Sequence, residues 1–390
     1  MMKKTVVLLL ILWASLVSGE RFVHAQDTPV GVLRTYDGRN FYHHRFRDVG
    51  QKPYVDFLAT PGGNNILRDA PPDHFHHHAL MFAVRVNGVN FWEEHPAGYP
   101  GKEQLVPGSF VRSEIECGPN GTFVDESLDL NWISPRGTLL LEERRFIRAQ
   151  MKSESEPTLL TWVSVFTPPK DREQAGINPE ITPPPHSAEL EETTFLHGSH
   201  YNGFGLRFDE SMDFGGRFFY NDGAQEMPLA DYEFHRNLLC RWVAYTAKLH
   251  EKPVTVALYD LGCAVTPGEA MKQMRGSKQP ETGLLEQPFS FSPHGSPSVP
   301  ILKKLPMVAY LLNDPDERRT NAYLSATANL GREQLELGKD QAVVFRYGLA
   351  IWEGEQTAKE VEELFQAWNP FHKTETTLVF NFHSPSFHFP

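Results

Sequence analysis

From Asp73 to Trp92 the chain reads DHFHHHALMFAVRVNGVNFW, and the alternation in its second half decides the fold class. Successive side chains of a strand point to opposite faces. Leu80, Phe82, Val84 and Val86 therefore share one face, and Met81, Ala83 and Arg85 the other. Asn87-Gly88 is the turn pair of a two-residue hairpin, whose central positions need a left-handed backbone. Val89 to Trp92 is then the returning strand. Carried back through the histidines, the same alternation puts His74, His76 and His78 on one face and Phe75 with His77 on the other. Hairpins join antiparallel strands, so the run predicts antiparallel β-structure with imidazoles at its entry.

Outward from this run the texture is the same. Val30–Tyr36, Phe41–Phe46 and Tyr54–Leu58 precede it. Ser109–Cys117, Phe123–Ile133, Gly137–Ile147, Thr158–Phe166, Val254–Leu261 and Ala342–Trp352 follow it. Long helical periodicity is scarce and turn residues are frequent, which predicts an all-β protein, a large antiparallel β-sandwich (supersandwich-like). One or two short helices join it. The first runs from the capping box Thr266-Pro267-Gly268-Glu269 to Arg275. The second starts at Thr357 with Glu360, and its apolar stripe is Val361, Leu364, Phe365 and Trp368.

The N-terminus has the pattern of an export signal. Met1-Met2-Lys3-Lys4 is basic, Thr5 to Val17 is apolar, and Val23-His24-Ala25 suits cleavage. The expected organisation is a signal peptide over 1–25 and one domain over 26–390, exported to the periplasm or beyond, with no stable membrane span in the mature form. Residues 168–192, with Pro183-Pro184-Pro185, read as an exposed insertion loop. The formal charge is −12 and no basic tract is present, which argues against a nucleic-acid partner. Cys117, Cys240 and Cys263 lie far apart and read as buried thiols.

Imidazole both titrates near neutrality and binds metals, so the histidine run is the expected seat of chemistry. His74, His76 and His77 are the candidate acid–base groups, with Asp73 orienting one ring. Pro71-Pro72 stiffens the approach. In Leu139–Phe146, alternation sets Leu141, Glu143 and Arg145 against Leu140, Glu142 and Arg144. Glu143 or Glu142 is the candidate carboxylate facing the histidines across a cleft. In Leu196–Phe208, LHGSHYNGFGLRF, the glycines mark bulges or a close approach. His200, Tyr201 and Arg207 there, together with Trp92, are candidate substrate holders. Three readings stay open: acid–base catalysis on a sugar, a divalent-metal site on His74, His76 and His78, and a non-catalytic glycan-binding module.

Several motifs carry a resemblance. Lys52-Pro53-Tyr54, Thr60-Pro61-Gly62-Gly63, Asp73-His74-Phe75-His76-His77-His78 and Val86-Asn87-Gly88-Val89-Asn90-Phe91-Trp92 resemble the PmoA-like family of exported bacterial proteins. Leu141-Glu142-Glu143-Arg144, Tyr201-Asn202-Gly203-Phe204-Gly205-Leu206-Arg207 and Phe345-Arg346-Tyr347-Gly348 fit it as well. The resemblance implies a large β-sandwich in polysaccharide-degrading bacteria and a small-molecule or oligosaccharide ligand. The methane-oxygenase function in the family's label is rejected, because that subunit spans the membrane several times.

Overall fold

The computed structural model describes residues 23–47, 52–72, 74–93, 109–117, 123–135, 137–151, 153–169, 193–227, 235–268, 298–312, 322–368 and 377–379. The proposed signal peptide up to residue 22, Asp73, and all but the first two residues of the 168–192 loop lie outside them.

Two large antiparallel sheets carry the fold. In the first, neighbouring strands run Val23–Asp27, Gly31–Tyr36, Arg39–Arg45, Tyr54–Leu58, Leu80–Ala83, Gly203–Arg207, Tyr323–Thr327, Val308–Leu312, His235–Leu239 and Gln225–Met227. In the second, Arg217–Tyr220, Trp242–Leu249, Lys252–Asp260, Gln341–Glu353, Thr158–Thr167, Leu139–Gln150, Phe123–Ile133 and Ser109–Cys117 follow in that order. Cys263–Pro267 pairs with one end of Gln341–Glu353. A small sheet of Leu335–Gly338, Thr193–His197, Arg85–Val86 and Val89–Asn90 accompanies them. The all-β expectation holds.

The sheets close face to face through aromatic rings. Phe82 of the first sheet lies 5.4 Å from both Phe166 and Phe345 of the second, and Phe204 stacks on Tyr347 at 5.2 Å. Register follows from this contact. Phe82, Phe204 and Ala326 are cross-strand partners and point inward. Their neighbours Met81, Gly205 and Ser325 form the next row, with Tyr54, and point outward. A polar rivet crosses the same gap: Glu126 of the second sheet accepts from Tyr42 Oη (3.0 Å) and pairs with His44 Nδ1 (2.9 Å) of the first.

Asn87 and Gly88 both have positive φ, 48° and 81°, as the tight turn requires. The returning strand is shorter than expected, Val89–Asn90, with Phe91 and Trp92 in a bend. The stretch Leu196–Phe208 also divides. Thr193–His197 belongs to the small sheet and Gly203–Arg207 to the first, with a turn over Ser199–Asn202. Thr266 and Pro267 end a strand, Gly268 directly after it is helical, and 269–275 lie outside the described residues. The Thr357 box is formed: Glu360 N donates to Thr357 Oγ1 and Thr357 N to Glu360 Oε2. The helix Ala358–Trp368 seats Val361, Leu364 and Phe365 on the outer side of the second sheet, against Trp242, Tyr259 and Ala350. Among the described residues no helix is long and apolar enough to cross a membrane. Cys240 and Cys263 are buried free thiols, pushed up by burial.

Truncating Phe82 to Ala should remove the central inter-sheet contact and cost about 3–5 kcal/mol. Chemical denaturation measures this as a lower midpoint; an unchanged midpoint would show that the rings do not hold the sheets together.

Candidate functional site

The histidine run is a loop, not a strand, and this is the main correction to the sequence reading. The strand begins only at Leu80. Before it, His74 N donates to Pro71 O (2.9 Å) and His77 N to His74 O (2.8 Å), two consecutive turns. Ala70 N donates to His77 O (3.0 Å), and Asp69 forms a bridge with His78, which closes the neck of the loop. Ala70 and Ala79 flank that neck with φ of 45° and 46°, a region uncommon for a residue with a Cβ.

Turns bring together different rings than alternation does. His74, His76 and His77 cluster, with centroids 4.7 Å apart for His74–His77, 4.6 Å for His76–His77 and 5.8 Å for His74–His76. His78 leaves the group: its Nδ1 lies 2.7 Å from Asp69 Oδ1, and its ring stacks on Tyr54 at 4.5 Å. The face expected to hold His74, His76 and His78 is not formed. Among the described residues no group of three His, Cys, Asp or Glu side chains is placed to hold a metal ion. Asp73 lies outside those residues.

His77 is the innermost of the three. It stacks on Tyr323 at 4.8 Å and meets the edge of Trp92 at 5.9 Å, with Nδ1 buried and without a hydrogen-bond partner. Burial lowers its pKa well below 6.5, and the nearby His76, His74, Arg207 and Lys52 lower it further. Burial and the cationic neighbours keep this imidazole neutral at neutral pH.

The surrounding wall comes from distant parts of the chain. Arg207 and Tyr323 are cross-strand partners on the outward row of the first sheet. Tyr201 lies 5.9 Å from Trp92 and its hydroxyl donates to Glu93 Oε1 (3.2 Å). Asn90 Nδ2 donates to the other oxygen of Glu93 (3.0 Å). His200 packs on Tyr310 at 5.0 Å, and Tyr310 approaches Tyr323 at 6.1 Å. Gly205 makes the assembly possible: a Cβ there would sit 2.1 Å from Tyr323 Oη and 3.1 Å from Trp92 Cη2. The close-approach reading of these glycines is thereby given a partner.

Of the expected residues, His74, His76, His77, Trp92, His200, Tyr201 and Arg207 gather in this region. Trp92 and Arg207 are fully buried and lie beneath the imidazoles. The two glutamates do not join. Glu143 accepts from Arg145 Nε and Nη2 (2.8 and 3.0 Å), Trp132 Nε1 (2.9 Å) and Ser164 Oγ (2.6 Å), all inside the second sheet. Alternation along Leu139–Gln150 is as expected, but it is the buried face that carries the ion pair, with Glu142 on the other. Glu93 follows the hairpin turn and returns to this end of it, whereas Lys52, Tyr310 and Tyr323 carry no functional expectation from the sequence. Lys52 is fully buried and donates to Trp92 O (2.5 Å), and its neighbour Pro53 accepts from Arg145 Nη1 (3.2 Å). A single lysine before a proline gives no local sign of this. Only its place beside Pro53 and Tyr54 in the family-like motif hints at it.

Residues 32–366 match a family of unknown function, DUF6807. The chain belongs to that family. The match does not confirm the PmoA-like label. No curated protein matches the sequence. Among solved structures, the chain is similar to the galactosidase domain of the α-galactosidase–sucrose kinase AgaSK, at 8% identity and TM-score 0.39, over 85% of this chain and 41% of that one. The α-galactosidase AgaA of Geobacillus stearothermophilus gives 9% identity and TM-score 0.37, over 85% and 41%. A galactose mutarotase related enzyme of Lactobacillus acidophilus gives 10% identity and TM-score 0.22, over 86% and 98%. The chain thus spans about two fifths of the galactosidase chains.

Two predictions follow from burial. The unfolded chain protonates its histidines near pH 6.5, whereas His77, and His44 with it, stay neutral in the fold because burial lowers both. The unfolded state therefore binds more protons below about 6.5, and stability, fully present above that value, falls as pH drops from 7 toward 5. Denaturation across this range should give a shallower slope for His77→Gln, by up to about 1.4 kcal/mol per pH unit; equal slopes would refute the buried neutral ring. Glu143→Gln should cost about 3–5 kcal/mol by stranding the Arg145 charge, and a melting temperature equal to the parent's would count against the pair.

Proposed function

We propose that this chain is an exported, carbohydrate-active protein that moves protons on a sugar or glycoside with His74, His76 and His77. The observation that carries the reading is the His77 ring, buried, neutral, and in contact with two other imidazoles. One imidazole of such a group takes a proton while its neighbour, when charged, delivers one. Tyr201, half-buried beside Trp92, supplies a ring face of the kind on which the apolar side of a sugar stacks, and His200 stands next to it.

Among the described residues, Glu93 is a carboxylate at this wall, tied to Asn90 and Tyr201. The imidazole cluster suits epimerisation or elimination, in which imidazoles exchange a carbon- or oxygen-bound proton. Export rests on the Met1–Ala25 pattern. A divalent metal is not assigned, since His78 stands apart from His74 and His76.

Incubating the protein with mono- and oligosaccharides in D2O and following them by NMR and mass spectrometry tests the reading. Deuterium incorporation or a new sugar product is the expected result. His76→Ala should reduce it at least about 100-fold while the melting temperature stays near that of the parent. Saturable binding without exchange or product would leave a glycan-binding module, and neither binding nor product would remove the carbohydrate reading.

A further inference from the structure

A second group of side chains stands on the outward face of the first sheet, apart from the histidine loop. His43 Nδ1 lies 2.7 Å from Asp56 Oδ1, and His43 Nε2 lies 3.2 Å from Thr28 Oγ1. The three residues line a cavity of about 310 Å³ together with Leu33, Asn40 and Phe57. The His43 side chain is 15% exposed and that of Asp56 21%, so the group is held by its surroundings yet open to a ligand.

We propose that Thr28, His43 and Asp56 form a nucleophilic triad, a second active site that cleaves small O-acyl esters. Such a site is recognised by roles and geometry, not by chain order. A carboxylate 2.7 Å from Nδ1 fixes the ring proton on that nitrogen and leaves the Nε2 lone pair facing the hydroxyl. Thr28 Oγ1 already accepts from Gly31 N (2.9 Å), which directs its own proton toward His43. This proposal does not depend on the function assigned to the histidine loop.

The backbone is built to place Asp56 there. His43 pairs with Phe57 and the next residue, His44, with Val55, so Asp56 is the extra residue of a β-bulge. Without the bulge, alternation would put neighbours Asp56 and Phe57 on opposite faces; with it, both line the outer cavity. Bulges recur beside active sites because they re-aim a side chain in this way. Asn65 repairs the interrupted ladder, donating from Nδ2 to Asp56 O (3.2 Å) and accepting from Leu58 N (2.9 Å). An ordinary cross-strand polar contact would need neither the bulge nor the cavity. Arg45 Nη1 lies 3.8 Å from Asp56 Oδ2.

In the reaction, Thr28 Oγ bonds to the acyl carbon as its proton passes to His43 Nε2. The ester C–O bond then breaks, and His43 returns the proton to the departing alkoxide. Water, deprotonated by the same imidazole, hydrolyses the acyl-threonine and restores the hydroxyl. Asn40, which also lines the cavity, carries a side-chain amide that can donate to the transient oxyanion. The volume accommodates an acetyl group with part of its alcohol.

The full-length protein, treated with a fluorophosphonate probe and mapped by peptide mass spectrometry, should carry one adduct on Thr28, absent from His43→Gln. With 4-nitrophenyl acetate, Thr28→Val and His43→Gln should lose at least about 100-fold of the hydrolysis rate. Asp56→Asn should lose up to about 10⁴-fold, and Thr28→Ser should retain activity. Circular dichroism melts identify any variant that fails to fold, in which case the probe on the parent protein decides. An adduct elsewhere or none, or equal rates for parent and Thr28→Val, overturns the proposal.

Discussion

The contact of Phe82 with Phe166 and Phe345 is the constraint from which the other placements follow. Once these rings fill the space between the sheets, each strand of the first sheet has its faces assigned, because a slip of one residue would exchange them. Phe204 and Ala326 go inward with Phe82; Tyr54, Met81, Gly205 and Ser325 go outward. Arg207 and Tyr323 are outward by the same parity. The interior is thereby committed to packing, and both proposed sites stand on the outward face of one sheet.

The charges that do enter the interior are accompanied. Glu143 is held by Arg145, Trp132 and Ser164, and Glu126 by Tyr42, His44 and Arg34. Such pairs do little for stability in themselves, since desolvation offsets attraction, but they are costly to break. The Arg145 guanidinium also reaches Pro53, next to the lysine that holds the Trp92 carbonyl. A residue expected to act on substrate is thus part of the frame that seats the aromatic wall behind His77.

Much of the fold was legible because period-two alternation survives along most of the chain: Leu80–Ala83, Leu139–Gln150 and Gln341–Glu353 lie where the pattern puts them. The site was legible in composition and not in geometry. Four imidazoles in five positions drew attention to this segment, but strand parity does not apply across the turns at Pro71–His74 and His74–His77, so His77 and not His78 joins His74 and His76. Glu143 misled because alternation tells which residues share a face without telling which face is buried. Tyr323, Tyr310 and Lys52 carried no local signal; their positions depend on contacts distant in sequence, such as the pairing of Tyr323 with Arg207. Asp56 was hidden for a similar reason, since one unpaired residue in a ladder leaves no trace in a single sequence.

The left-handed alanines at both sides of the loop neck have a further meaning. Ala70 and Ala79 reverse the chain so abruptly that phase is not transmitted from the imidazole segment into the sheet beyond. The parity of the strand that starts at Leu80 is thus set by its own pairing and not by the residues of the loop before it.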